Sequence, residues 1–465
     1  MYYKLNPDLG LRGWEQAPHA ARVFSTGATI FMSSEEFQAL SFCNGLFDCS
    51  SMLLTPLHRK IIEMAEKNQA ILPCEKGDVL DARQEYILYP CRFTDRAHWS
   101  ITGKCNMKCR HCMLSAPHAK FGEISHEMAM SIVDQLAAIG VGKVSLTGGE
   151  PLIREDFWDI VDALIAHDIS IIQICTNGLL VNDELLDGLK ARGAKPSFAI
   201  SFDGPGWHDW MRGYDNAEEI ALRAFRLLKE RGFSTSCESA FHRDSLGTIV
   251  ETMHVLADAG VSSWKTNPVA DSGEWLQESR DLDLTAEETY AAYLNLIDEF
   301  YKAGSPLTIQ LGGFFGCEKG KTKHYFPIKK PYKDETVRLA DPLCMSARRT
   351  MYISAEGKVL PCIPLSGMPT HDEYPSLFDM PLTQALSESL YLARITAPVS
   401  ELLSKQAGCA ACQYKLHCNG GCRAAALSAN AGTDFFGIDP WTCLFFKGEY
   451  EAKINEVVER ALGNA

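Results

Sequence analysis

The chain of 465 residues lacks an excess of positive charge, a long apolar run and a secretory signal pattern. Its 45 basic and 59 acidic side chains give a formal net charge of -14, so there is no basic footprint for nucleic acid or for anionic lipid. No apolar run approaches the roughly 20 residues that cross a bilayer, and the N-terminus has no basic and apolar signal segment. We therefore expect a cytoplasmic protein with neither a nucleic-acid nor a membrane partner.

Cysteine, by contrast, is abundant. The chain has 17 cysteines, and in a reducing compartment such thiols do not form a disulfide framework. Metal binding or catalysis is therefore the expected use of the cysteines, in a chain long enough for two or three domains.

The middle of the chain alternates short apolar runs with helical stretches. The runs are RAHWSIT, KVSLTGG, ISIIQICTNG, PSFAISFDG, STSCESAF, SSWKTNPV and LTIQLGG. About six strand and helix units beginning near Trp99 predict an α/β fold, a partial (β/α)6 barrel whose chemistry lies at the C-terminal ends of its strands. Capping-box spacing predicts helix starts at Asn216 with Glu219 and at Thr285 with Glu288.

The stretch CNMKCRHC, directly after RAHWSIT, places Cys105, Cys109 and Cys112 within eight residues. Soft thiolates suit iron and sulfide, and a cubane cluster held by three cysteines leaves one iron open for an outside ligand. A structural zinc site is the alternative, because His111 or His118 could supply a fourth ligand.

This CxxxCxxC on the first βα loop resembles the radical S-adenosylmethionine (SAM) superfamily. The resemblance implies a [4Fe-4S] cluster whose open iron is chelated by the amino and carboxylate groups of SAM, and reductive cleavage of SAM to a 5'-deoxyadenosyl radical. It also implies that SAM contacts come from residues at the strand ends, namely Gly148, Gly149, Glu150, Pro151, Thr176, Asn177, Ser201, Asp203 and Arg212. His111 stands where the family usually has an aromatic residue near adenine. The alternatives are turn formation for Asn177 and Asp203 and a surface ion pair for Arg212.

The C-terminal third carries a second cysteine pattern, in which Cys344, Gly357 and Cys362 precede CxxCxxxxxCxxxC and a final cysteine. This order resembles the SPASM extension, which binds two auxiliary [4Fe-4S] clusters and would bring the total to three. The resemblance implies an outer cluster on Cys409, Cys412, Cys418 and Cys443, and an inner cluster on Cys344, Cys362 and Cys422. Cys317 is either the fourth inner ligand or a buried thiol. Without it, the inner cluster has an open iron that a substrate thiolate could occupy.

Residues 1 to 90 differ in character. Short strands in YYKL, ARVFS and ATIFM, a helix that Ser33 and Glu36 could cap, and a second helix in TPLHRKIIEMAEKNQAIL predict a winged-helix-like module. The segment EFQALSFCNGLFDCSS is similar to the peptide-recognition element of ribosomal peptide biosynthesis, in which a leader peptide adds as a strand to a sheet edge. We expect this module at 1–90, the radical SAM barrel at 91–312 and the SPASM domain at 313–465.

Together these resemblances imply a radical SAM maturase that crosslinks a ribosomally made precursor peptide, with a flavodoxin- or ferredoxin-type electron donor. A thioether is favoured and a carbon-carbon bond is possible, because two auxiliary clusters can accept the electron that bond formation releases. One alternative is a peptide epimerase in which Cys175 or Cys237 returns a hydrogen atom. Another is an anaerobic sulfatase maturase, disfavoured because Ile363 replaces that family's Asp. A non-catalytic iron-sulfur electron carrier is the third, disfavoured by GGEP.

Overall fold

The computed structural model describes residues 1–278, 280–344 and 346–463. The N-terminal elements are β1 (Tyr2–Leu5), β2 (Leu9–Trp14), β3 (Ala17–Val23), β4 (Ala28–Phe31), α1 (Ser34–Ser41), α2 (Pro56–Lys67), β5 (Ile71–Cys74) and β6 (Ile87–Tyr89). They form a four-stranded sheet in the order β4-β3-β2-β6, while β1 pairs separately with β5. The three predicted strands and both predicted helices are present; β2, β5 and β6 were not predicted.

The central part of the chain alternates strands and helices as predicted. Its elements are β7 (Arg96–Thr102), α3 (His126–Ala138), β8 (Lys143–Gly148), α4 (Phe157–Ala166), β9 (Ser170–Thr176), α5 (Asp183–Ala191), β10 (Ser197–Ser201), α6 (His208–Arg212), α7 (Ala217–Glu230), β11 (Thr235–Phe241), α8 (Ile249–Ala259), β12 (Ser263–Pro268), α9 (Trp275–Glu278), α10 (Ala286–Lys302) and β13 (Thr308–Leu311). Strands β7 to β13 lie side by side in chain order, and every neighbouring pair is parallel. The predicted α/β class with a large, mostly parallel sheet is confirmed.

The C-terminal part extends this sheet at both edges. Its elements are β14 (Phe315–Cys317), β15 (His324–Tyr325), α11 (Glu335–Ala340), β16 (Thr350–Ile353), β17 (Val359–Leu360), α12 (Leu382–Ala385), α13 (Leu390–Thr396), α14 (Val399–Lys405), α15 (Ala407–Ala410), α16 (Lys415–Cys418), α17 (Arg423–Ala429), α18 (Pro440–Lys447) and α19 (Tyr450–Gly463). Strand β14 pairs with β13, whereas β16 pairs in parallel with β7 at the opposite edge. The sheet therefore continues across the expected boundary after residue 312.

The two faces of the parallel sheet differ sharply in polarity. One face is apolar and buried in the main core, through residues that include Val144, Leu146, Ile174, Phe198, Ile200, Trp264 and Ile309. The alternate residues, which we call the inner face, are mostly polar; they include Ser145, Thr147, Gln173, Cys175, Ser197, Ser201, Ser236, Glu238, Lys265 and Gln310. Parallel strands are usually apolar on both faces. A polar inner face therefore indicates a surface that meets solvent or a ligand.

The sheet curls around this inner face. Burial lowers the pKa of His98 on β7, and Glu238 on β11 and Lys265 on β12 are among the charges acting on it. In a flat sheet these strands would lie about 20 Å from β7, at about 4.8 Å per strand. The influence of Glu238 and Lys265 on His98 thus indicates that the sheet curves and brings β11 and β12 closer to β7 than a flat sheet would.

Two of the three predicted capping boxes are confirmed, at Ser33 with Glu36 and at Thr285 with Glu288. At the third position the helix starts where predicted, directly after Asn216, but no capping box forms. Asn216 adopts a left-handed backbone conformation with φ of 62°, and its side chain makes no cap hydrogen bond. Asp209 instead accepts hydrogen bonds from the amides of Asn216 at 2.9 Å and Glu218 at 2.7 Å, so α7 is capped from a residue outside the local motif.

The N-terminal sheet packs directly on the barrel. The Trp14 indole donates to the Ile139 carbonyl at 2.8 Å, and the Arg22 guanidinium donates to the Gly140 carbonyl at 2.6 Å. Trp14 and Ala20 belong to the main core. Within the described residues, no helix combines the length and apolarity needed to span a membrane.

Candidate active site and cysteine groups

The loop from Cys105 to Cys112 is held in place by the segment that ends α6. Lys108 donates its amide to the Arg212 carbonyl at 3.1 Å, and Arg110 donates to the Met211 carbonyl at 2.9 Å. Gly213 follows with φ of 56°, and a Cβ atom there would collide with the Lys108 carbonyl. Backbone contacts thus fix the cysteine loop against the C-terminal end of α6.

Each sulfur of this loop accepts one N–H donor. Cys105 accepts from the Met107 amide at 3.5 Å, Cys112 from the Ala116 amide at 3.3 Å, and Cys109 from the Arg212 guanidinium at 3.7 Å. Burial raises the pKa of Cys105 to about 12 and also raises the pKa of Cys112. Binding a soft metal would deprotonate these thiols, and the three donors would then stabilise the thiolates.

The spacing of the three sulfurs bears on the zinc alternative. In tetrahedral zinc sites with 2.3 Å bonds, the ligand sulfurs lie roughly 3.8 Å apart. Among the residues that the structure describes, neither cysteine region contains three metal-ligating atoms within 4.8 Å of one another. His118 is exposed beside Glu274 at 3.4 Å.

The GGEP segment lies against the start of the cysteine loop. Gly149 donates its amide to the Thr102 carbonyl at 2.8 Å, and Glu150 donates to the Lys104 carbonyl at 2.9 Å. A Cβ atom on Gly149 would overlap Lys104, and Gly148 has φ of 146°. Both glycines are therefore required by close approach and conformation. Pro151 begins a short 3-10 turn.

Glu150 is a buried carboxylate at the end of β8. It accepts hydrogen bonds from the Thr176 hydroxyl at 2.8 Å, the Asn177 amide at 2.8 Å and the Leu152 amide at 3.2 Å. Burial raises the pKa of Glu150 to about 7. The Asn177 side chain also donates to Asn106 at 2.7 Å. Asn106, which sequence reasoning missed, thus links the cysteine loop to β9; its place beside Cys105 was the available signal.

Asp203 and Arg212 form a buried ion pair with 2.8 Å between the Arg212 Nε and an Asp203 oxygen. Burial alone would raise the pKa of Asp203, but the Arg212 charge and the His208 hydrogen bond hold it below its usual range. Asp203 also accepts the Ala240 amide at 3.0 Å. The ion pair between Asp203 and Arg212 is therefore buried, not at the surface, and Asp203 has a role beyond forming a turn. His208 was missed, although it lies in the same WHDWMRG segment.

His111 lies beside this ion pair, and burial and the Arg212 charge lower its pKa to about 4. Its Nδ1 atom is buried and has no hydrogen-bond partner among the described residues. Ser201 lies on the inner face, opposite Glu238 in the β10–β11 register. The structure therefore brings the predicted SAM-contact residues of β8, β9 and β10 to one end of the sheet.

The outer cysteine group lines a small pocket in the C-terminal part of the chain. Its lining comprises Cys409, Cys412, Tyr414, Cys418, Gly420, Ile438, Asp439, Thr442, Cys443, Phe446 and Lys447. Burial raises the pKa of Cys418 to about 11, and its sulfur accepts the Gly420 amide at 3.4 Å. Four thiols around one small, largely apolar pocket suit a closed cluster.

The inner group contains Cys344, Cys362 and Cys422, which act electrostatically on one another. Burial raises the pKa of Cys362 and of Cys422. The contacts of Cys317 are with other residues. Its sulfur accepts a hydrogen bond from the Tyr301 hydroxyl at 3.6 Å and donates one to the Lys321 carbonyl at 3.3 Å. These surroundings support the buried-thiol alternative for Cys317.

Residues 99–256 match the model of the Radical SAM superfamily. This part of the chain is a radical SAM domain. The chain is 26% identical over 368 residues to an AdoMet-dependent heme synthase of Methanosarcina barkeri, covering 76% of this chain and 96% of that protein. It is also 26% identical over 348 residues to the antilisterial bacteriocin subtilosin biosynthesis protein AlbA of Bacillus subtilis, covering 72% of this chain and 68% of that protein.

Among solved structures, Streptococcus suis SuiB bound to its precursor peptide SuiA superimposes with a TM-score of 0.66. The match covers 95% of this chain and 99% of SuiB at 16% sequence identity. At that identity the likeness establishes a common fold across nearly the whole chain. The predicted resemblance to radical SAM peptide maturases is confirmed by these comparisons.

Proposed function

We propose that this radical SAM enzyme matures a ribosomally made precursor peptide by installing a crosslink, in the cytoplasm and with a flavodoxin- or ferredoxin-type electron donor. The observation that carries the proposal is the presence of three separate cysteine groups in one chain. One group of three lies at the strand ends, one group of four encloses a pocket, and one further group of three lies in the C-terminal part. Radical crosslinking needs an initiating site and an electron acceptor, and this set can supply both.

The residues at the strand ends would position SAM. Cys105, Cys109 and Cys112 would hold a [4Fe-4S] cluster, and SAM bound there supplies, on reductive cleavage, a radical that removes hydrogen from the peptide. Glu150 offers a carboxylate for the SAM amino group, and Arg212 offers a cation for its carboxylate. His111 is the flat ring expected beside adenine.

A leader peptide would bind at the free edge of the N-terminal sheet. Strand β4 is at that edge, and Met32 donates its amide to the His19 carbonyl of β3. Because hydrogen bonding alternates along an antiparallel pair, the amides of Thr29 and Phe31 point away from β3. These outward groups are available to an added strand.

The edge can be tested with one residue. Thr29→Pro removes an outward N–H without breaking a β3 bond, which edge strands tolerate, whereas Thr29→Ala keeps the N–H and is the matched control. We expect the proline variant to bind the full precursor about tenfold more weakly, a loss of about 1.4 kcal/mol. Equal binding by both variants would show that this edge does not bind the leader. Deleting residues 1 to 90 is a poorer test, because it would also remove Trp14 from the core.

A thioether is the favoured product. Its formation removes one hydrogen atom from a peptide carbon and a proton from a peptide thiol, joins carbon to sulfur, and releases one electron. The C-terminal cysteine groups would receive that electron. With Cys317 held by Tyr301, the inner group has three cysteines, which leaves room for a substrate thiolate.

The test uses the short precursor expected to be encoded beside the gene, incubated with the reduced enzyme and SAM. We expect a mass loss of two hydrogens per crosslink, with the crosslinked cysteine protected from alkylation. A carbon-carbon bond gives the same mass loss but leaves cysteines free. An unmodified precursor under conditions that cleave SAM would contradict the maturase proposal.

Epimerisation is the alternative within peptide chemistry. Cys175 lies half-buried on the inner face, whereas Cys237 is fully buried on the apolar face, so Cys175 is the better hydrogen donor. An epimerase would leave the mass unchanged in ordinary water and add one deuterium in heavy water. A sulfatase-maturase-like oxidation would instead convert a single Cys or Ser; Ile363 in place of the expected base weighs against it.

The extended similarity to an AdoMet-dependent heme synthase supports a second candidate, the synthesis of heme. Formation of heme by the reduced enzyme with SAM, together with an unmodified peptide, would favour this candidate over the maturase.

A further inference from the structure

The middle of the inner face carries an opposite-charge pair. Glu238 on β11 and Lys265 on β12 are register partners, with 3.8 Å between the Lys265 Nζ and a Glu238 carboxylate oxygen. Their side chains are 62% and 47% exposed, although both lie within interior strands of a parallel sheet. Charged side chains are rarely kept there without a use, because parallel strands normally pack on both faces.

Both members of the pair have unused hydrogen-bonding capacity. A separation of 3.8 Å exceeds hydrogen-bond distance, and among the described residues neither side chain has a hydrogen-bond partner. Gln310 follows Lys265 in register on β13, and Ser201 precedes Glu238 on β10. The pair therefore lies in a row of polar side chains that crosses four strands and faces an open space.

The position of the pair relates it to the strand-end site. Glu238 is level with Ser201, two residues before Asp203, which places it about 7 Å below Asp203 at 3.3 Å per residue. Glu238 and Lys265 also act electrostatically on Cys175 of β9. One or two residues of an extended peptide span this distance.

We propose that Glu238 and Lys265 bind a main-chain amide of the substrate peptide, with the peptide N–H donating to the Glu238 carboxylate and the Lys265 ammonium donating to the peptide carbonyl. The inference rests on the proposed peptide substrate. A neutral group that carries both a donor and an acceptor satisfies both charges. A carboxylate or ammonium group of a ligand would satisfy one charge and be repelled by the other. The pair thus selects uncharged peptide segments and sets how far the peptide enters the barrel.

The test needs no precursor peptide, because the rate at which Cys175 is alkylated measures access to the inner face. The intact reconstituted enzyme is alkylated with iodoacetamide with and without N-acetylglycinamide, which carries two amides, and Cys175 labelling is followed by peptide mass spectrometry. We expect N-acetylglycinamide to slow Cys175 labelling about fivefold, and sodium acetate at the same concentration to slow it less than twofold, as about 1 kcal/mol of differential binding requires.

The matched variants are Glu238→Ala with Lys265→Ala, and, as control, Glu299→Ala with Lys302→Ala, an exposed pair on α10 at 3.0 Å. Protection should disappear in the first double variant and persist in the second. The two single variants are run beside them, with melting temperatures, so that a misfolded double variant cannot mimic the expected loss.

Three results would overturn the assignment: protection that persists without Glu238 and Lys265, equal protection by acetate, or a Cys175 that no reagent reaches in the native enzyme. Each leaves the crosslinking assay with the precursor unaffected. Conversely, an unmodified precursor would overturn the peptide-maturase proposal while leaving amide binding on the inner face measurable.

Discussion

Two buried aspartates organise the two cysteine regions in different ways. Asp203 holds a charged side chain, Arg212, which reaches the Cys109 sulfur. Asp439 binds backbone groups instead. Its carboxylate accepts hydrogen bonds from the amides of Cys422 at 2.8 Å and Trp441 at 3.0 Å, and so caps the helix that carries Cys443. The barrel site is thus built from paired side-chain charges, and the C-terminal site from local capping.

The difference corresponds to what each region must do. The strand-end side chains lie at the end of the sheet where SAM and substrate would approach, and Glu150, Asp203 and Arg212 hold their charges buried there. The C-terminal cysteines surround a pocket lined by Tyr414, Ile438 and Phe446, where backbone fixes the ligands and apolar side chains exclude water. An open site and a closed site are therefore supported by different kinds of interaction.

Removal of the barrel thiols should have the largest effect, because it should abolish one site and leave the other intact. Replacing Cys105, Cys109 and Cys112 with Ala should reduce 5'-deoxyadenosine formation below detection, because the group that cleaves SAM has no other ligands there, while the absorbance of the auxiliary clusters remains. Chromatography of 5'-deoxyadenosine and iron analysis measure both. Cys74→Ala, in the N-terminal module, is the control. SAM cleavage by the triple variant would refute the ligand assignment.

Removal of the outer thiols should have the opposite effect, with loss of an auxiliary cluster and retention of SAM cleavage. With Cys409, Cys412, Cys418 and Cys443 changed to Ala, we expect loss of about a third of the roughly twelve irons that three [4Fe-4S] clusters contain. SAM cleavage should persist and peptide product should be lost, because only the electron acceptor is affected. Iron, sulfide and zinc analysis decide the matter: unchanged iron with zinc in this region contradicts the assignment.

The two aspartates can be compared directly. Asp203→Asn leaves the buried Arg212 unpaired and should lower the free energy of unfolding by about 3 kcal/mol. Asp439→Asn keeps one oxygen for the helix cap but loses the oxygen that accepts the Cys422 amide, so it should lower the free energy of unfolding by only about 1 kcal/mol. Since the folded pKa of Asp203 is lowered, its stabilisation is present above the unfolded pKa and is lost as the pH falls through the folded pKa. Urea titration of both variants measures the difference. Equal losses of unfolding free energy in the two variants would show that the two aspartates do not differ in this way.

A smaller effect sharpens the role of charge at the barrel site. Burial raises the pKa of Glu150 to about 7, so its carboxylate form increases between pH 6 and pH 8 and SAM affinity should rise about tenfold over that interval. Glu150→Gln should bind SAM weakly and without this pH dependence. Calorimetry at three pH values checks it, and a native affinity that does not vary with pH would argue against a contact between Glu150 and the SAM amino group.

Much of the fold could be predicted from local pattern. Short apolar runs separated by amphipathic helices predict the parallel strands β7 to β13, and right-handed strand and helix units place them side by side in chain order. The spacing of Cys105, Cys109 and Cys112 likewise predicts one ligand group, because ligands on one short loop must lie near one another. The two C-terminal groups are what the SPASM resemblance implies. The structure places the strand-end residues Glu150, Asn177 and Asp203 at the same end of the sheet, as this reasoning requires.

The remaining features depend on contacts between distant segments. Strand β16 joins the edge of β7 some 250 residues away, as shown by the 2.7 Å contact between the Ser100 and Tyr352 hydroxyls. Trp14 completes the barrel core from the N-terminal module, and Asp209 replaces the predicted cap of α7. The polar alternation in CESAF and WKTNP was visible in the sequence, but which face was open depended on the curvature of the sheet.

The sequence by itself determined which residues can act as ligands and how many lie on each loop, because covalent spacing limits their separation. Only the tertiary structure decided which sulfur Arg212 contacts, that Cys317 faces Tyr301, and that Glu238 and Lys265 meet on an open inner face. Those outcomes depend on burial and pairing free energies summed over many distant contacts, which no local pattern contains.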